Sequence, residues 1–167
     1  KRLLNGHSTL KPLTFKEFEN EFKLVEEFLF KISNREMSKI WRAPYGAHNN
    51  LILQMAAKIG YKYHIHWTQR GHRNLEIPDY VTSQYIKRKG KIFKNPKYLT
   101  SRQTINMLRI WERIDPARLN GAIILMHLGT LRFQDELIYI LPAFIKMMTK
   151  MGYSFVTISD ILDNFSD

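Results

Sequence analysis

Apolar residues recur at helical spacing early in the chain. Phe15, Phe18, Phe22, Val25, Phe28 and Leu29 follow the capping box Thr14-Phe15-Lys16-Glu17, which predicts a helix opening at that threonine. Residues 39–42 read as a short strand that ends in the turn Pro44-Tyr45-Gly46. Asn49 or Asn50 then caps a helix through Leu51, Leu53, Met55, Ala56 and Ile59, stopped by Gly60. Alternation over residues 61–67 predicts a second strand, and Thr100-Ser101-Arg102-Gln103 is a second capping box, opening a helix through Ile105, Leu108, Trp111 and Ile114. Residues 121–126 form a continuous apolar run, the pattern of a strand buried on both faces. A helical pattern over 134–151 is broken by Pro142, which starts a new helix or kinks the old one, and Gly152 ends it. Residues 153–158 read as another strand, with Ser159 capping a short last helix. Helices alternating with short apolar strands give an α/β class built on a parallel sheet or barrel.

No repeat, low-complexity tract or Ser/Gly linker divides the 167 residues, so one domain over 1–167 is expected. With 44% hydrophobic and 13% aromatic residues the chain can bury a core, which excludes wholesale disorder. No apolar run approaches the roughly 20 residues of a membrane span. The absence of cysteine excludes disulfides and thiolate chemistry. The first residues carry neither an initiator Met nor a signal-peptide segment, and are read as the start of a processed or truncated chain.

Charge is distributed unevenly. Lys and Arg number 26 against 15 Asp and Glu, a formal +11. Lys87, Arg88, Lys89, Lys91, Lys94, Lys97, Arg102 and Arg109 lie between Asp79 and Glu112 with no acidic residue among them. Interleaved with Tyr85, Phe93 and Tyr98, this basic loop over 87–102 suits an anionic polymer or a solvated surface; nucleic acid is the less supported partner, since no motif accompanies the charge.

Six histidines offer titratable or ligating chemistry: His7, His48, His64, His66, His72 and His127. His127 closes the 121–126 run, and the C-terminal ends of strands carry the active site in parallel α/β folds. An imidazole there suits general acid–base work. Arg42 stands at another strand end, where its guanidinium can orient a carboxylate, and the N–H groups of the following turn can serve an oxyanion. His7 by itself is a weak metal signal, because the classical partner position four residues on is Lys11.

Taken in order, Asn5-Gly6-His7-Ser8-x-x-Lys11-Pro12, Arg42-Ala43-Pro44-Tyr45-Gly46 and Ile124-Leu125-Met126-His127, followed by Gly152-Tyr153-Ser154-Phe155-Val156-Thr157-Ile158, resemble the polysaccharide deacetylases, carbohydrate esterase family four. The resemblance runs from Asn5 to about Leu162. It implies a distorted (β/α) barrel, here lacking its first strand, that removes N-acetyl or O-acetyl groups from a polysaccharide at one divalent metal such as zinc. It implies an extracellular or cell-envelope location. By position, His7 matches the first metal histidine, Arg42 the arginine that orients the base, and Tyr45 the backbone donor to the oxyanion. Pro44 matches the groove beside it, Leu125 the acetyl-methyl pocket, and His127 the general acid.

Three departures qualify the match. The family's Thr-Phe-Asp-Asp-Gly strand has no counterpart, its place lying upstream of Lys1. The second metal histidine falls on Lys11, whose ammonium repels a cation and cannot ligate while protonated. Residues 66–72 hold no carboxylate where the family places the one that tunes the catalytic histidine, so His127 is expected to be poorly oriented. Two readings stand open: a metal-dependent deacetylase, or an inactive carbohydrate-binding relative without metal, in which Lys11 replaces a ligand.

Overall fold

The computed structural model describes residues 13–71, 73–127 and 129–163, Arg73 by its backbone alone. It divides the chain into two compact units, Lys1–His66 and Trp67–Asp167.

In the first unit, helix α1 (Phe15–Ser33) opens on the expected capping box: the Thr14 hydroxyl accepts from the Glu17 N–H, and the Glu17 carboxylate accepts from the Thr14 N–H. Asn34, in the left-handed region, ends it. Strand β1 (Ile40–Trp41) leads through a 3-10 turn, Pro44–Gly46, to helix α2 (Asn50–Lys58), whose N-cap is Asn49, accepting from the Ile52 N–H. Strand β2 (Tyr63–His64) then pairs parallel to β1, Ile40 with Tyr63 and Trp41 with His64. Two parallel strands need a crossover, which α2 supplies. Phe18, Ile52, Met55, Ala56 and Tyr61 make the core, with Phe22, Met37, Trp41 and Ile59 packed on it. The Tyr61 hydroxyl donates to Glu26 (2.7 Å), which Lys39 also engages, and these two bonds hold the Glu26 carboxyl below its usual range.

The second unit begins with the antiparallel pair β3 (Gln69–Arg70) and β4 (Arg73–Asn74). It continues into a hairpin of β5 (Tyr85–Arg88) and β6 (Lys91–Lys94). The part of the expected basic loop over 87–94 is therefore a two-stranded ribbon, closed by Lys89 (φ 47°) and Gly90 (φ 77°), the positive dihedrals of a type I′ turn. Residues 95–100 stay irregular, and Arg102 stands in the first turn of the next helix. Helix α3 (Ser101–Ile114) opens on the second capping box, with Thr100 accepting from Gln103. Pro142 sits in the first turn of α4 (Leu141–Lys150), so it starts a helix, preceded by a 3-10 turn, Leu137–Tyr139. The last helix, α5 (Ile158–Asp163), is capped by Thr157, not Ser159: its hydroxyl accepts from the Asp160 N–H at 3.1 Å. The core is Leu75, Ile77, Leu108, Trp111, Leu119, Leu137, Phe144 and Met148.

Two expected strands take other forms. The 121–126 run makes a single parallel bridge, Leu125 with Glu76, framed by Leu125 N–H to Leu75 O and Ile77 N–H to Leu125 O, both 2.9 Å. Leu125 is buried, while Ala122, Ile123, Ile124 and Met126 are half-buried. Residues 153–157 adopt no regular structure, and Phe155 and Val156 are mostly exposed. Apolar, β-rich residues become a strand only where a neighbour accepts their backbone groups. Among the described residues the strands pair in twos and close no barrel; the architecture is mixed α/β.

Candidate functional site

The expected site residues fall in both units: Arg42, Pro44 and Tyr45 in the first, Leu125 and His127 in the second. His7 and Lys11 lie outside the described residues.

In the first unit, β1 delivers Arg42 to the surface and buries Ala43 at the turn. The turn is tight. Gly46 N–H donates to Ala43 O (2.9 Å), Ala47 N–H to Pro44 O (3.1 Å), and Ala43 N–H to His64 Nε2 (3.1 Å). Tyr45 holds a left-handed backbone (φ 57°, ψ 14°) that tyrosine rarely adopts, and its ring is 82% exposed. The N–H groups of Ala43, Gly46 and Ala47 are thus committed to the turn itself, which removes them from the oxyanion donors expected there.

Beneath the turn lies a histidine cluster that sequence reasoning did not single out. The His48 and His64 rings are 4.5 Å apart, His48 and His66 5.9 Å, and His64 and His66 6.2 Å. His48 Nδ1 donates to Gly46 O (2.8 Å), since a carbonyl can only accept. His64 Nε2 accepts from Ala43, so the His64 ring proton is on Nδ1. Burial, then the neighbouring His48, His66 and Arg42, push His64 down to about 4, which keeps it neutral at ordinary pH. The signal was present in the β1–β2 register, which sets His64 beside Trp41, but that pairing is not local in sequence.

In the second unit, parallel register builds the principal feature. Ile77 bonds to Leu125; two residues further along each segment, Asp79 meets His127. One carboxylate holds the histidine twice: Asp79 Oδ1 accepts from His127 Nδ1 (2.6 Å), and Oδ2 accepts from the His127 N–H (2.9 Å). The bond to Nδ1 fixes the tautomer and leaves Nε2 as the outward nitrogen. The Asp79 side chain is buried, 5% exposed, while that of His127 is 35% exposed. The Tyr80 ring meets the imidazole edge-on, centroids 4.9 Å apart. His127 thereby borders a pocket of about 160 Å³, with Asp79, Met126, Glu136, Leu137 and Leu141 among its walls. Leu125 is buried and its backbone holds Leu75 and Ile77 in place.

The expectation of a poorly oriented His127 is therefore overturned: the missing carboxylate of 66–72 is supplied by Asp79. No local pattern marks Asp79, whose partner is 48 residues away. Among the described residues no group of three or more His, Asp or Glu is arranged to hold a metal ion. His64 does not fit one as it stands, because its Nε2 accepts from the Ala43 N–H and its Nδ1 carries the proton, which leaves it no free lone pair.

No helix among the described residues is long and apolar enough to cross a membrane. No curated protein matches the chain. Residues 5–64, which carry His7, Lys11, Arg42, Pro44 and Tyr45, match the family model of polysaccharide deacetylase.

Proposed function

We propose that the chain is a polysaccharide deacetylase-like hydrolase. It removes acetyl groups, as N-acetyl amide or O-acetyl ester, from a cell-wall or extracellular polysaccharide, on a fold derived from the distorted (β/α) barrel of that family. The observation that carries this reading is the doubly bonded Asp79–His127 pair at the mouth of a pocket. A leaving amine or alkoxide needs a proton. His127 donates it from Nε2, and Asp79, a positioning residue, holds the ring and forms an ion pair with it while it is protonated. Met126, Leu137 and Leu141 give the pocket the apolar wall an acetyl methyl requires, and Leu125, expected in that wall, lies buried outside it. Arg42, Pro44 and Tyr45 are assigned to orienting the base, shaping the groove and donating to the oxyanion.

In the family a divalent metal polarises the acetyl carbonyl and activates water. His7 is the ligand this sequence offers, with Lys11 in the second position. That lysine favours a second reading: a carbohydrate-binding relative that keeps the fold and has lost the reaction. Acetate release from an N-acetylated and an O-acetylated polysaccharide, with zinc supplied, separates them. The hydrolase releases acetate, His127→Ala abolishes release with the circular dichroism spectrum unchanged, and Asp79→Asn lowers kcat at least tenfold with KM little altered. A chain that binds polymer but releases no acetate, and takes up zinc only as Lys11→His, is the second reading.

A further inference from the structure

The β5–β6 hairpin takes no part in that chemistry, yet it concentrates the charge of the molecule. Its register sets Tyr85 against Lys94, Ile86 against Phe93, Lys87 against Ile92 and Arg88 against Lys91. Side chains alternate across a strand, so Tyr85, Lys87, Ile92 and Lys94 share one face and Ile86, Arg88, Lys91 and Phe93 the other. Apart from half-buried Ile86 every residue of the two strands is exposed, so the ribbon meets solvent on both faces. Among the described residues none of its cations forms an ion pair.

Two features mark this charge as costly to the fold. Arg88 and Lys91 stand directly opposite each other, where like charges repel. Lys89 occupies a left-handed turn position that favours Asn or Gly, so a cation stands where the backbone would choose otherwise. A bound polyanion relieves the first and gives a use to the second.

We propose that this hairpin holds a polyanionic polysaccharide. The cations diverge over two faces and a tip, which suits a chain laid along the ribbon and not one compact anion. Each face carries a single exposed aromatic ring, Tyr85 on one and Phe93 on the other, enough to stack on a sugar but not the successive rings that single-stranded nucleic acid requires. The tip, Arg88-Lys89-Gly90-Lys91, is the most polar part, and the apolar Tyr85, Ile86, Ile92 and Phe93 lie behind it, so insertion into a bilayer would drive charge in first. The inference rests on the hydrolase reading only in naming a polysaccharide as the polymer.

The test is fluorescence anisotropy with the full chain and labelled polygalacturonate, a neutral acetylated chitin oligomer, and a single-stranded oligonucleotide matched in charge, at 50 and 200 mM salt. The wild type should prefer polygalacturonate and lose affinity as salt rises. The variant K87Q/R88Q/K89Q/K91Q should bind it at least tenfold more weakly. Lys89→Asn, which creates the favoured Asn-Gly turn, should weaken binding about twofold with the hairpin intact. Either variant binding as tightly as the wild type overturns the proposal, and preference for the oligonucleotide replaces it with nucleic-acid binding. Acetate release assayed on the same samples tells the two failures apart: absent release with intact polyanion binding refutes the hydrolase reading alone.

Discussion

Acid should weaken the first unit through His64 before its carboxylates titrate. The imidazole is held neutral in the fold, down from 6.5 to about 4, by burial and by His48, His66 and Arg42. The unfolded chain takes up a proton near 6.5 and the folded chain only near 4. The stability His64 confers is therefore complete above about 6.5 and is lost progressively as pH falls towards 4. At ~1.4 kcal/mol per pH unit, and with the ring only partly buried and screened by solvent, the loss amounts to about 1–2 kcal/mol. His64→Gln isolates it: the amide oxygen can accept from the Ala43 N–H as Nε2 does, but does not titrate. The assay is urea unfolding followed by tryptophan fluorescence, to which Trp41 contributes with its ring 4.7 Å from His64. At pH 7.5 the wild type should be the more stable, by the ring contact the variant lacks. By pH 5 that advantage should shrink or reverse, by about 1 kcal/mol. Glu26 is common to both proteins and cancels in the difference. Parallel stability profiles from pH 7.5 to 5 would refute the reasoning.

Leu108 is fully buried at the centre of the second unit's core, and Leu108→Ala should cost about 2–5 kcal/mol, read as a fall in the urea midpoint; a cost below 1 kcal/mol would mean the cluster does not hold this unit together. Lys89→Asn should slow amide hydrogen exchange across β5 and β6 by a factor corresponding to about 1 kcal/mol, because Asn tolerates the left-handed turn; unchanged exchange would show that the turn is not strained.

What the sequence made legible follows from the range of each interaction. Thr14 with Glu17, Asn49 with Ile52 and Thr100 with Gln103 are contacts three residues apart, so the helix starts could be read from composition and spacing. Pro142 resolved as a helix start because its ring fits the first turn, where no N–H is missed. The strands were another matter. Whether residues 121–126 or 153–158 pair depends on what lies beside them, and one parallel bridge at Leu125 is all the first obtains. The hairpin was hidden because lysine and arginine occupy both of its faces, which erases the usual alternation; Gly90 was its single local cue. In the candidate site, the 44–46 turn after β1 and the place of His127 at the end of the 121–126 run were readable from their order. Asp79 and His64 were not, since each acts through a parallel register between segments far apart in the chain.

That register has a consequence for how such a chain can change length. Asp79 and His127 each stand two residues beyond a shared bond, Ile77 N–H to Leu125 O. Deleting one residue from 77–79 or from 125–127 would turn one member of the pair to the opposite side of its segment and part them. The interval between, which carries the hairpin and α3, is not measured by this bond at all. Segments can be gained, lost or exchanged there without moving His127 from the Asp79 carboxylate. The exposed ribbon of β5 and β6 can thus diversify within the same stretch of gene that the Asp79–His127 pair brackets at both ends.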